Sequence, residues 1–153
     1  MCCDKNGAAE RCVQMEDSLW YNEEKFRSED KRMLNCIAVG MGGFVGAVCR
    51  YLMGLLPIRN PQGFPVITLL VNVIGAFAIG CIVAWATKDT DLDPRWILFL
   101  KTGICGGFTT FSTFALETTD LLSAGKVGIA VTYVVLSAVL GVLAVFAGQY
   151  LCR

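Results

Sequence analysis

The strongest constraint on this chain is where charge is missing. Residues 63–87, GFPVITLLVNVIGAFAIGCIVAWAT, hold no Asp, Glu, Lys or Arg, and neither do residues 127–152. Two more apolar segments join them. One runs from about Leu34 to Pro57 and is interrupted only by Arg50. The other starts near Trp96 and continues past Phe114, with Lys101 near its start and Glu117 near its end. A helix that crosses a bilayer needs about 20 residues. All four segments meet that length, so the pattern predicts an all-α membrane protein with four transmembrane helices and both termini on one side.

The remaining charge is segregated. Fourteen of the 26 charged residues fall in the first 34 positions, which gives a polar tail, 1–34, and a four-helix transmembrane domain, 35–153. The tail lacks the early apolar core of a secretory signal. Its Leu19, Trp20, Tyr21 and Phe26 suit a short interfacial helix, but a loosely ordered solvated tail is the plainer expectation. Net charge is zero, so nothing points to nucleic acid. The absence of histidine removes the commonest general base and metal ligand, which argues against an enzyme. None of the eight cysteines forms a CxxC pair. Those in apolar segments read as small buried hydrophobes, and the sequence assigns Cys2, Cys3 and Cys12 no role.

Outside the tail, the terminus side carries Lys88, Arg95 and Arg153 and the opposite side Arg59 and Lys126. That is almost no bias for orientation, so the body is compatible with insertion either way up. The tail's Lys25, Arg27, Lys31 and Arg32 pull toward a cytoplasmic N-terminus. Trp85, Trp96 and Tyr150 fall at one interface, as an aromatic belt does. Gly42 and Gly46 share one helix face and permit close backbone approach. A stripe of Tyr133, Ser137, Gly141, Ala144 and Gly148 on the fourth span has the same helical spacing.

Polar groups inside spans are expensive and mark sites or helix contacts. Thr68 and Asn72 lie one turn apart in the second span, and Tyr133 and Ser137 one turn apart in the fourth. The third span carries CGGFTTFSTFAL at 105–116. On one continuous helix turning about 100° per residue, Phe108, Phe111 and Phe114 form an aromatic face. Thr109, Thr110, Ser112 and Thr113 then form a hydroxyl face. Gly106 and Gly107 precede this pattern and predict a helix break at mid-membrane. Freed backbone at that depth is tolerated only if buried in protein or lining a cavity. Three spans thus bring neutral hydrogen-bond donors to similar depth. With phenylalanine edges, which carry partial positive charge, they suit a small anion that is solvated but not trapped.

The segments GGFVGAVCRY (42–51), LLVNVIGAFAIG (69–80) and TGICGGFTTFSTF (102–114) carry a resemblance. Over residues 36–152 the chain resembles the Fluc (CrcB-type) fluoride channels. The resemblance implies an antiparallel, dual-topology homodimer in the plasma (inner) membrane that exports fluoride passively along two pores. It also implies a structural sodium ion at the dimer centre, held by backbone carbonyls of Gly106 and Thr109 at the break in the third helix. By the same resemblance Phe111 and Phe114 face fluoride and Asn72 donates from the second span. Thr110, Ser112 and Thr113 belong to the same string. Tyr133 and Ser137 line the path, Glu117 stands near a pore mouth, and Arg50 closes the first-span motif. The charged tail is longer than the family pattern needs. Two other classes compete. A small multidrug transporter requires a carboxylate in its first span, where this chain has Arg50. A structural membrane assembly protein leaves the hydroxyl cluster unexplained.

Overall fold

The computed structural model describes the backbone of residues 5–58, 63–88 and 93–153, and side chains within these from residue 29 onward. Arg59, Cys2, Cys3 and most of the two connections at 59–62 and 89–92 lie outside the described residues. So do the side chains of Cys12, Leu19, Trp20, Tyr21, Lys25, Phe26 and Arg27. The chain divides into two compact units, Met1–Cys36 and Ile37–Arg153.

Among the described residues every regular element is helical. Helix α1 spans Lys5–Gly54, so the backbone of the polar segment is helical from Lys5 onward. Helix α2 spans Val66–Lys88. The third span begins with α3, Pro94–Ile97, continues through π-helical turns at Leu98–Cys105 and ends its first half with α4, Gly106–Phe108. Helix α5, Phe111–Ser123, is its second half, and α6 spans Val127–Leu151. Four stretches are long and apolar enough to cross a membrane: Glu29–Gly54, Val66–Lys88, Pro94–Ser123 and Val127–Leu151. The protein is a multi-pass integral membrane protein.

Local chemistry fixes the ends of these helices. Asp93 caps α3: its carboxylate accepts from the Arg95 amide at 2.9 Å and pairs with the Arg95 guanidinium at 3.0 Å. Those contacts hold its carboxyl below the usual carboxylate range. Pro94 follows at the first helical position, where its missing N–H costs nothing. Gly125, with φ 71°, turns the chain between α5 and α6.

The glycines of the first span pack as their spacing predicts. A methyl group on Gly42 would lie 2.9 Å from Gly103 Cα, and one on Gly46 would lie 2.7 Å from the Phe108 nitrogen. Backbone touches backbone there, so α1 seats directly on the third span. The interior is small: Tyr133, Ala130 and Leu121 are buried, with Phe64, Leu69, Phe114 and Ile129 packed round them. Large apolar side chains such as Phe146 and Leu151 stay exposed, as lipid-facing residues do in a bundle with no hydrophobic penalty outside. Trp85, Trp96 and Tyr150 are exposed near span ends on the terminus side, in keeping with an aromatic belt.

One expectation is corrected. The glycine pair predicts the break at Gly106-Gly107, but both glycines are helical and the chain breaks two residues later. Thr109 (φ −72°, ψ 157°) and Thr110 (φ −148°, ψ 114°) are extended. Gly107 serves packing instead. A methyl group on Gly107 would meet the Gly43 backbone, 2.9 Å from its Cα. What breaks the helix is an alternative set of partners for the threonine backbone.

Candidate functional site

The break is held from both sides. In a continuous helix the Thr110 amide would bond to the Gly106 carbonyl. Here it donates to Asn72 Oδ1 at 2.8 Å, and Asn72 Nδ2 donates to the Thr110 carbonyl at 3.2 Å. One mid-span amide thus satisfies both polar groups of one extended residue. Thr110 also caps α5: its Oγ1 accepts from the Thr113 amide at 3.2 Å and donates to Thr113 Oγ1 at 2.9 Å. Ser112 Oγ lies 3.3 Å from the same hydroxyl. On the other side, the Thr109 hydroxyl and amide both donate to the Cys105 carbonyl at 2.9 Å and close the end of α4.

The break undoes the single wheel drawn over 108–114. Phe108 belongs to α4, whereas Phe111 and Phe114 belong to α5. The latter two still pair, with ring centroids 5.7 Å apart and planes tilted by 42°. Phe114 also meets Tyr133 at 5.1 Å. Phe111 is 80% exposed.

Asn72, Thr109, Thr110, Phe111, Phe114 and Ser137 line one cavity of about 500 Å³. Its aliphatic wall includes Ala76 and Ile79 of α2 and Val134, Ala138 and Val145 of α6. Ser137 is the informative member. Its Oγ is buried and is the one buried side-chain oxygen or nitrogen among the described residues without a hydrogen-bond partner. Helical hydroxyls elsewhere in the chain bond back one turn: Thr118 to Phe114, Thr119 to Ala115 and Thr132 to Gly128, at 2.7–2.8 Å. Ser137 makes no such bond, so its hydroxyl stands unpaired in a residue that lines the cavity.

The remaining polar residues form a second group. Glu117 accepts from Tyr133 OH at 2.8 Å and from Thr68 Oγ1 at 2.7 Å. Both of its oxygens are therefore engaged inside the bundle. Tyr133 is fully buried and lines neither this cavity nor the next, although its ring touches Phe114. Glu117 also lines a smaller cavity of about 310 Å³ with Gly63, Asp120 and Lys126. Arg50 is half-buried, and among the described residues no ion pair joins it to Glu117. The i, i+4 spacing of Thr68 and Asn72 signals a shared face. The partner of Thr68 was not readable from the sequence, because Glu117 is 49 residues away.

A broken third span, an asparagine that holds the break and a cavity combining neutral donors with two phenylalanines define a small helical membrane protein with a polar site at mid-span. The chain belongs to the CrcB family: the family model described as CrcB-like protein, Camphor Resistance (CrcB), matches residues 37–149. Relatives named fluoride-specific ion channel FluC align over nearly their whole length. The one from Ruminiclostridium cellulolyticum is 44% identical over 124 residues, which cover 80% of this chain and 95% of that protein. That from Agrobacterium fabrum is 41% identical over 79% of this chain and 98% of its own length. That from Chlorobaculum tepidum is 44% identical, again over 79% of this chain, and over 96% of its own length.

Proposed function

We propose that this protein is a fluoride-selective channel that lets fluoride leave the cell passively across the plasma membrane, and so limits fluoride toxicity. The family and the names of its relatives support the reading. The observation that carries it is the Ser137 hydroxyl. A buried O–H without a partner costs stability. This one belongs to a residue that lines the cavity together with Asn72, Thr110 and two phenylalanines, and no ammonium or guanidinium lines that cavity. Neutral donors and ring edges replace part of an anion's hydration shell without holding it as a fixed cation would. Chloride is larger and a weaker hydrogen-bond acceptor, so the same donors compensate its dehydration poorly.

In this reading Asn72 holds the break and Phe111 and Phe114 present ring edges. Thr110, Ser112 and Thr113 form the hydroxyl cluster beside them. Tyr133 and Glu117 extend the polar groups toward the smaller cavity. Arg50 is a helix-end charge. Two copies pair antiparallel, and a sodium ion between them takes the carbonyls of Gly106 and Thr109. The diversion of the Thr110 amide to Asn72 supports the sodium site, since it deprives the Gly106 carbonyl of its intrahelical donor. The exposed Phe111 ring supports the pairing. The test is efflux from proteoliposomes loaded with fluoride or with chloride. Rapid fluoride release with chloride retained is the expected result. Comparable release of both, or of neither, overturns it. The chain's place in the family leaves the multidrug-transporter and assembly readings without support.

A further inference from the structure

Helices α2 and α6 come into backbone contact at a pair of glycines. A methyl group on Gly80 would lie 3.1 Å from Gly148 Cα, and one on Gly148 would lie 3.0 Å from the Cys81 nitrogen. The two backbones are therefore in contact, and the residues that flank the contact are forced together. Cys81 follows Gly80. Cys152 lies one turn beyond Gly148, and its amide donates to the Gly148 carbonyl at 3.1 Å. The Gly80–Gly148 backbone contact brings Cys81 and Cys152 to one helix interface, where their side chains interact. Both are free and half-buried. Cys152 stands just past the end of α6 with φ −98° and ψ 5°, outside helical geometry. It can therefore adjust locally, which a disulfide between packed helices requires.

We propose that Cys81 and Cys152 are a thiol modification site, at which a peroxide closes a reversible disulfide that ties the end of α6 to the terminus-side half of α2. The Cys152 thiolate, at the open end of its helix, attacks one peroxide oxygen. The O–O bond breaks, leaving a sulfenic acid on Cys152 and one water once the leaving oxide takes up a proton. The Cys81 sulfur then attacks the sulfenic sulfur, the S–S bond forms and a second water departs. The two thiols lose two electrons and two protons in all, and hydrogen peroxide takes them up as two waters. On α2 the tie lies two residues from Ile79, which lines the cavity, and on α6 it lies about two turns from Val145. It therefore fixes the relative position of two walls of the 500 Å³ cavity.

The experiment uses the full chain in lipid nanodiscs, treated with hydrogen peroxide and, separately, with the direct thiol oxidant diamide. Free thiols are then alkylated and mapped by peptide mass spectrometry. The expected result is loss of alkylation at Cys81 and Cys152 together, a joined peptide containing both, and recovery of both on adding dithiothreitol. C81S should leave Cys152 trapped as a sulfenic acid that dimedone labels, and C152S should leave Cys81 alkylatable. Cys36 and Cys49, which are exposed, serve as internal controls. Persistence of both thiols under both oxidants, or recovery of either cysteine joined to a different partner, overturns the proposal. The readout is independent of ion flux, so it stands or falls apart from the fluoride reading.

Discussion

Ser137 gives two opposite consequences for one substitution. Its hydroxyl is buried with no partner, so Ser137→Ala removes a destabilising group and should leave thermal stability unchanged or raised. If that hydroxyl donates to a charged ion in passage, the interaction lost is about 1.5–3 kcal/mol. A barrier raised by that amount slows flux by roughly one to two orders of magnitude. A fluoride-electrode efflux assay beside a melting curve separates the two effects. Thr132→Ala is the control, because that hydroxyl is spent on the Gly128 carbonyl at 2.8 Å and lines no part of the cavity. Phe111 and Phe114 extend the same logic to ring edges. Isoleucine keeps roughly the bulk of each but has no quadrupole. Phe111→Ile and Phe114→Ile should assemble normally by size-exclusion chromatography and lose most fluoride flux. Wild-type flux in both variants would reduce the pair to packing.

The third span shows what an element owes to distant residues. Four spans were legible because missing charge needs no tertiary knowledge. Close packing at Gly42 and Gly46 was legible from spacing alone. The break was legible as an event but not at its position. Glycine weakens a helix by about 1 kcal/mol relative to alanine, too little to end one when its missing side chain is filled by a neighbouring backbone, as at Gly107. Thr109 and Thr110 became extended because Asn72, 38 residues away in sequence, takes both polar groups of Thr110. No local pattern reports that pairing, and a wheel over 108–114 treats as one helix what is two. The relocated break yields a discriminating pair of substitutions. Gly106 is helical, and nothing lies within 4 Å of an added methyl group in the described chain. Gly106→Ala should therefore be neutral or slightly stabilising for the single subunit. Asn72→Leu keeps similar size but strips the Thr110 amide and carbonyl of their partners. It should cost about 1–3 kcal/mol per buried group left unsatisfied and abolish flux. Melting curves in detergent give the comparison, and a larger loss from Gly106→Ala would return the break to the glycines.

At the scale of the whole molecule, the proposed pairing and its sodium ion rest on three features of a single chain. The Phe111 ring is 80% exposed beside the cavity. The Gly106 carbonyl has lost its intrahelical donor to Asn72. Thr109, at the end of α4, is extended, so its carbonyl does not continue the helical ladder. An unsatisfied carbonyl at bilayer depth costs several kcal/mol, and two per chain are too few to enclose a hard cation. A second copy related by a two-fold axis doubles the number of oxygens and brings identical groups to the axis. Sodium, which prefers oxygen donors as other hard cations do, would satisfy all of them at once. A cation held in this way is part of the scaffold and does no work in transport. Two consequences follow, and a cation coupled to transport would not produce both. Fluoride efflux should proceed with sodium equal on both sides of the membrane. Exhaustive replacement of sodium by N-methyl-D-glucamine, too large for the site, should weaken the dimer and abolish efflux, and restoring sodium should recover both. Dimer content is read by cross-linking or single-molecule photobleaching in the same vesicles used for flux. An intact, fully conducting dimer after thorough sodium removal would show that water or neighbouring hydroxyls satisfy the Gly106 and Thr109 carbonyls.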